Sequence, residues 1–338
     1  MEKYDEILEK ISSNNNIPVE TINLLTKYII SLEELKIINK KEEIDKLIDK
    51  TETCLESVTY YDNEDEEFCK KIGVGKKNKG CSVGNKIYIN KNMSEQLKVV
   101  TLFHEFTHFL QRYHIEGYSE CVGIMRNFKW RLLMEGQTQN IAEMIYEHIY
   151  KVNKEEKKYK SEELRMKSGG VIISNRRNYE LYDYVLKKLL LALEISLDDF
   201  IYLNFNGKLS MPIFEKMLEI RIGAENKNKL SKLLDIIYTS DILKYYYDDV
   251  DKLKEPYIVK SLYNQRAINV SCYNQFETMK KLDDFLLEIT EENEEVHSKL
   301  LRMKFIQSNE LESIIDEQYY TAHYENGVET IKRNTLHI

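Results

Sequence analysis

The part of this sequence best suited to chemistry is a pair of histidines, His104 and His108, with Glu105 directly after the first. Residues four apart on an α-helix project from the same face, so both imidazoles can reach one zinc ion. Glu105 can lean over the coordination position that the histidines leave open, where a carboxylate can take a proton from water. The spacing therefore predicts a zinc site with His104 and His108 as ligands and Glu105 as the general base.

These residues need a helix to position them, and the flanking sequence predicts one. Ser94 is a favourable N-cap residue, and apolar side chains recur at helical spacing from Leu97 to Leu110. Short strands are predicted ahead of this helix, at Ser57–Tyr61 and Lys86–Ile89. A second helix is predicted from Trp130 to Tyr150, with apolar residues on one face.

The segment His104-Glu105-Phe106-Thr107-His108 is the HExxH pattern, and with its context it resembles the zincin metallopeptidases over roughly residues 85–150. The resemblance implies zinc ligation by both histidines, Glu105 as general base, and hydrolysis of peptide bonds. It also implies a strand at the edge of the cleft before the HExxH helix. Lys86–Asn90 is the segment predicted to play that part.

Two zincin sub-families supply the third zinc ligand differently. Metzincins use a histidine ten residues after the first, and His114 has that spacing, but Gln111 stands where they carry a glycine. Without that glycine the chain lacks the sharp turn back to the metal, and no Met-turn is evident. Gluzincins use a glutamate from a second helix. Glu135 begins a Glu-Gly-x-Thr segment similar to one common in bacterial gluzincin-like proteins, so we predict Glu135 as the third ligand.

Other polar residues remain candidates for supporting roles. Glu143 is an alternative third ligand, and Glu143 and Gln139 are both candidates for hydrogen bonds to a ligating histidine. Arg176 and Tyr179 weakly resemble the downstream arginine and tyrosine of clostridial neurotoxin proteases, which makes Tyr179 a candidate for stabilising the oxyanion. The histidines without metal-ligand spacing are expected to be structural or exposed: His148, His297, His323 and His337.

The composition indicates a mainly helical protein. The 338 residues include only 12 Gly and 3 Pro, too few for a turn-dense all-β fold. With 49 Lys+Arg against 57 Asp+Glu the net charge is −8, which argues against a nucleic-acid partner because phosphate contacts need a basic face. We predict an α+β fold that is mainly α with a small β-sheet, built as a zincin-like catalytic core with additional helical regions.

Three regions are predicted along the chain. Residues 1–50 form an N-terminal helical region, 51–155 the zincin-like catalytic core, and 156–338 a helical C-terminal region. The boundary near 155 falls in the charged run 154–158. A terminal hairpin is predicted around Asn326-Gly327, a dipeptide typical of two-residue hairpin turns.

The cysteines and the N-terminus predict a cytoplasmic protein with reduced thiols. The five cysteines are odd in number and no two of them have redox-motif or zinc-knuckle spacing. The first residues lack the basic and apolar regions of a signal peptide. No apolar run approaches the roughly 18–20 residues needed to span a bilayer, so no membrane partner is predicted.

These observations predict a zinc-dependent metallopeptidase whose partner is a peptide or protein substrate. The alternative is a non-catalytic zincin-like binding module, such as a toxin or sensor component, that docks a protein partner through the helical C-terminal region. The presence of Glu105 favours the enzyme, because a non-catalytic module has no need of the base.

Overall fold

A small mixed sheet surrounded by helices forms the described part of the chain in the computed structural model, which confirms the predicted fold class. The structure describes residues 2–12, 16–75, 78–118, 121–152, 162–165, 171–174, 177–247, 272–301, 320–325 and 328–333. The predicted boundary near 155 lies outside these residues.

Three helices precede the sheet, and the second and third of them pack against the helix that carries the HExxH segment. They are α1 (Glu2–Ser12), α2 (Val19–Glu34) and α3 (Lys41–Cys54). Tyr28 on α2 is fully buried, and its hydroxyl lies 2.5 Å from the hydroxyl of Thr107 in that segment. At the end of α3, the ammonium of Lys50 donates to the carbonyl of Leu110 at 3.0 Å. Helices α2 and α3 thus support the helix that carries the HExxH segment along its side and at its C-terminal end.

The sheet contains β1 (Ser57–Tyr61), β2 (Gly80–Val83) and β3 (Lys86–Asn90), with a short helix α4 (Glu66–Ile72) between the first two. Its order is β1-β3-β2, with β3 parallel to β1 and antiparallel to β2. The strand predicted at Lys86–Asn90 is confirmed as β3, which is paired on both sides. The antiparallel edge strand beside the HExxH segment is β2.

The two helices of the candidate site occur where the sequence predicts them. Helix α5 (Glu95–Gln111) begins after Ser94, whose side chain accepts a hydrogen bond from the backbone amide of Leu97 at 3.3 Å. Helix α6 (Arg131–Tyr150) begins after Trp130 and packs against α5. Both predicted helices are therefore confirmed, and the N-cap role of Ser94 with them.

Helix α6 contributes to two hydrophobic clusters. Ile141 and Ile145 pack with α2, α3, α5 and the sheet. Leu133 and Met134, about two to three turns earlier, pack with the helices of the C-terminal half. These helices are α7 (Arg177–Ala192), α8 (Leu197–Leu203), α9 (Ser210–Tyr247) and α10 (Cys272–Glu288), and residues 294–301 are also helical. The backbone of α9 is non-helical at Gly223.

Short hairpins and one 3₁₀ turn complete the described part. Strand β4 (Cys121–Val122) pairs with β5 (Met125–Arg126), β6 (Glu162–Arg165) with β7 (Val171–Ser174), and β8 (Tyr320–Glu325) with β9 (Val328–Arg333), all antiparallel; the 3₁₀ turn is Gly207–Leu209. The pairing of β8 with β9 flanks the predicted Asn326-Gly327 turn, whose own residues lie outside the described ones. Within the described residues, every helix is too short or too polar to cross a bilayer.

Candidate metal centre

Three side-chain atoms converge between α5 and α6. The Nε2 atoms of His104 and His108 are 3.1 Å apart, and each lies 3.3 Å from Oε2 of Glu135. Ligands at zinc-like distances of about 2.0–2.1 Å in a tetrahedron are separated from one another by about 3.3–3.4 Å. The three atoms therefore match three corners of such a tetrahedron, and the group could hold a metal ion.

The helical period of α5 places the two imidazoles side by side. Their ring centroids are 4.7 Å apart and the ring planes meet at 82°. His104 is only 4% exposed, because the opposite faces of α5 are covered by the sheet, the N-terminal helices and α6. Burial of this kind excludes bulk water from one side of the site and leaves the Nε2 atoms facing α6.

Helix α6, which carries Glu135, packs closely on both α7 and α5. A Cβ atom on Gly136 would lie 2.9 Å from the carbonyl oxygen of Tyr182, so a glycine is needed here for α7 to approach α6. Between α5 and α6, the buried amides of Gln111 and Gln137 bond to each other at 2.9 and 3.4 Å. Gln111 therefore serves the packing of the two helices at the position where metzincins carry their glycine.

The charges around Glu135 and His104 oppose the effect of burial on the pKa values of these two residues. Burial acts to raise the pKa of Glu135, but His108, His104 and Arg131 together hold that pKa well below its ordinary value. Burial acts to lower the pKa of His104, yet Glu135 and Glu105 raise it overall. The carboxylate of Glu135 thus remains ionised at the point where a cation would bind.

Glu105 lies beside the three converging atoms without being one of them. Its side chain runs under strand β2, where a Cβ atom added to Gly80 would lie 3.1 Å from its Cγ. It is 8% exposed, and burial raises its pKa although the nearby histidines act in the other direction. A carboxyl group with a raised pKa holds and releases a proton closer to neutral pH than an exposed glutamate does.

An arginine that the sequence reasoning missed binds the other oxygen of Glu135. Arg131 donates from Nε to Oε1 at 3.2 Å, one helical turn before Glu135. Its guanidinium carbon lies 5.4 Å from the ring centroid of Phe128 and 5.1 Å from that of Tyr238. The signal that could have revealed it was the i, i+4 spacing of a basic and an acidic residue.

The remaining candidates fall outside the converging group. His114 follows the end of α5 and is not part of the group, nor is Glu143. Gln139 lies next to His104, with its Oε1 3.0 Å from Nδ1 of the imidazole, and its amide nitrogen donates to Glu143 at 2.7 Å. Tyr179 belongs to the first turn of α7, and its side chain lies outside the described part, as does Arg176.

Comparison of the chain with protein-family models, with curated proteins and with solved structures found no match. The chemistry of the site formed by His104, Glu105, His108 and Glu135 is therefore the main indication of function.

Proposed function

We propose that this chain is a zinc-dependent metallopeptidase of the gluzincin type. His104, His108 and Glu135 serve as the zinc ligands, and Glu105 serves as the general base. The observation that supports this proposal best is the separation of the three ligand atoms, 3.1, 3.3 and 3.3 Å, which fits three corners of a zinc tetrahedron.

The donor types favour zinc over other common divalent ions. Two imidazole nitrogens and one carboxylate oxygen suit zinc, whereas calcium and magnesium are usually bound by oxygen atoms alone. Three protein ligands leave a fourth position for water or substrate, as in catalytic rather than structural zinc sites. Zinc bound there supplies Lewis acidity and lowers the pKa of water to about 7.

Glu105 supplies proton transfer in the proposed reaction. Its carboxylate accepts a proton from the attacking water as that water adds to the scissile carbonyl. The raised pKa of Glu105 suits the return of this proton to the leaving amine nitrogen, which completes peptide-bond cleavage. Burial under β2 keeps the carboxyl group from being hydrated by bulk water.

A peptide substrate also suits the sheet. Strand β2 is an edge strand in the described sheet, and it passes directly over Glu105. An extended peptide can bind such an edge through main-chain hydrogen bonds, which recognise peptide backbone rather than any one side chain. Hydrolysis of peptide bonds is therefore favoured over other zinc-dependent hydrolyses.

The test combines metal analysis with peptide cleavage. Purified protein should carry one zinc ion per chain and cleave members of a quenched fluorescent peptide library. Glu105→Gln should keep the zinc and lower kcat by about 10²- to 10⁴-fold, the usual contribution of a general base. Glu147→Gln is the same change three turns after Glu135 on α6, and it should leave the zinc content and kcat unchanged.

Two results would contradict the proposal. Wild-type protein that binds no zinc at micromolar free metal excludes the ligand set. Protein that binds zinc but cleaves no library peptide excludes the peptidase and supports the non-catalytic zincin-like binding module.

A further inference from the structure

The segment between β5 and α6 has an unusual backbone. Asn127, Phe128 and Trp130 have φ angles of 47°, 69° and 67°, all in the left-handed region. Asparagine tolerates this conformation, but a bulky aromatic residue is strained in it. Strained residues of this kind persist only where the surroundings fix them, and they concentrate at functional sites.

Both flanks of Phe128 are anchored to the rest of the protein. The indole nitrogen of Trp130, a residue that is 1% exposed, donates to Glu215 of α9 at 3.3 Å, and the ammonium of Lys129 donates to the same carboxylate. On the other side, the guanidinium of Arg126 donates to the carbonyl of Lys208 at 2.6 Å. These contacts hold the strained turn in place.

The anchored turn presents the ring of Phe128 to solvent. The residue is 45% exposed, whereas Trp130, which has nearly the same φ angle, is buried. The structure thus maintains a strained backbone without gaining a buried aromatic side chain at position 128. Core packing does not account for a large apolar residue here.

The exposed ring lies next to the candidate metal centre. The guanidinium of Arg131 is 5.4 Å from the ring centroid of Phe128 and bonds to Oε1 of Glu135, whose other oxygen faces the histidines. Arg131 is already held by Glu135 and by the ring of Tyr238. A single arginine side chain therefore separates the ring from the metal-binding carboxylate.

We propose that Phe128 is a substrate-specificity residue whose ring contacts a large apolar side chain of the peptide close to the scissile bond. The proposal rests on the proposed peptidase function and names the substrate class for that site. Stacking or apolar contact with the exposed ring favours aromatic and long aliphatic residues. The cationic Arg131 beside the ring disfavours lysine and arginine at the same substrate position.

The backbone conformation allows a variant that removes the ring without damaging the fold. Glycine adopts positive φ freely and asparagine tolerates it, so Phe128→Gly and Phe128→Asn should relieve strain while deleting the contact surface. The matched control is Lys36→Gly, because Lys36 is exposed, has φ 58° and lies in the loop after α2. Phe128→Tyr keeps an aromatic ring and should keep the specificity.

The experiment measures thermal stability, cleavage and peptide binding of these variants in the zinc-loaded full-length protein. For Phe128→Gly and Phe128→Asn we expect a Tm that is unchanged or raised by up to about 4 °C. We expect kcat/KM for apolar peptides to fall about 10- to 200-fold, the range for a lost apolar contact, and the preference over lysine peptides to shrink. Phe128→Tyr and Lys36→Gly should retain the wild-type preference.

Binding is measured separately from turnover, by fluorescence anisotropy of a labelled apolar peptide with Glu105→Gln as the background. Weaker binding when Phe128→Gly is added supports the inference even if the wild-type protein cleaves no peptide, a result that would contradict only the peptidase proposal. An unchanged cleavage profile and unchanged binding in Phe128→Gly overturn the inference. A Tm decrease with equal losses for all peptides also overturns it, since that pattern indicates a structural role.

Discussion

The Nδ1 atom of His104 lies 3.0 Å from Oε1 of Gln139, and the amide nitrogen of Gln139 lies 2.7 Å from a carboxylate oxygen of Glu143. An ionised carboxylate only accepts hydrogen bonds, so the amide nitrogen must face Glu143 and the amide oxygen must face the imidazole. That oxygen only accepts as well, so Nδ1 carries the proton. The Nε2 lone pair of His104 is then directed toward Glu135, which is the arrangement a metal ligand requires.

The first prediction tests this hydrogen-bonded chain. Gln139→Leu removes the acceptor for Nδ1 and should weaken zinc binding by about 10- to 100-fold, measured by competition with a chromogenic chelator. The exchange variant Gln139→Glu with Glu143→Gln keeps an acceptor facing His104. In this variant the amide at position 143 donates a hydrogen bond to the carboxylate at position 139. The exchange variant should bind zinc within about 10-fold of wild type. Equal losses of zinc affinity in the two variants would show that the hydrogen bonds of Gln139 and Glu143 do not orient His104.

The second prediction concerns the third ligand. Glu135→Ala removes one of the three converging atoms and should lower zinc affinity by more than the roughly 100-fold expected for a lost hydrogen-bond partner of a ligand. His114→Ala should leave zinc affinity unchanged, because His114 lies beyond the end of α5 and outside the converging group. Circular dichroism of both variants checks that the helices remain. Comparable losses of zinc affinity in Glu135→Ala and His114→Ala would instead favour the metzincin arrangement, with His114 as the third ligand.

Local sequence patterns predicted the residues of the site better than their surroundings. The period of α5 and the position of Glu135 on a second helix follow from short-range spacing, which one sequence displays. The position of β2 at the edge of the sheet does not follow from short-range spacing. It depends on the parallel pairing of β1 with β3 across the intervening α4 and β2.

The contacts between α5 and α6 likewise do not follow from local sequence patterns. The buried pair of Gln111 and Gln137 joins residues 26 apart, and nothing in either local pattern says that these two side chains meet. The face of α6 that meets α5 is set by packing on both hydrophobic clusters, which is a property of the whole chain. Arg131, by contrast, stands one turn before Glu135 and was visible in the sequence as an i, i+4 pair.

The third prediction is a pH dependence of stability that originates at Lys50, the residue bonded to the C-terminal end of α5. Burial lowers the pKa of Lys50 to about 8 in the folded protein, against about 10.4 in an unfolded chain. Between these values the unfolded state binds more protons, so the free energy of unfolding rises with pH. Below about pH 8 both states are protonated and the full cost of burying the charge remains.

The measurement compares urea unfolding of wild type and Lys50→Met from pH 7 to pH 10.5. Wild type should gain about 2–3 kcal/mol relative to Lys50→Met over this range, at about 1.4 kcal/mol per pKa unit. Lys46→Met, an exposed position on the same helix, should follow the wild-type curve. A constant difference between wild type and Lys50→Met across the range would refute the prediction.

The fourth prediction concerns the close passage of β2 over Glu105, the proposed general base. A Cβ atom at Gly80 would lie 2.7 Å from Cγ2 of Thr101 and 3.1 Å from Cγ of Glu105. The first separation is too short for any stable contact, so Gly80→Ala must displace either the strand or these side chains. Because Glu105 is not one of the three residues proposed to bind zinc, zinc affinity should change little. Misplacement of the base should instead lower kcat, by about 10- to 100-fold.

The methyl group of Thr101 provides the control for this variant. Thr101→Ser removes the atom closest to the new Cβ, so the double variant Gly80→Ala with Thr101→Ser should recover part of the lost kcat, although the contact with Glu105 remains. Thr101→Ser alone should behave as wild type in zinc binding and cleavage. Since neither substitution alters the charge of the site, recovery in the double variant would identify steric displacement as the cause. Loss of zinc in Gly80→Ala, or a double variant no faster than Gly80→Ala, would mean that the strand does not position Glu105.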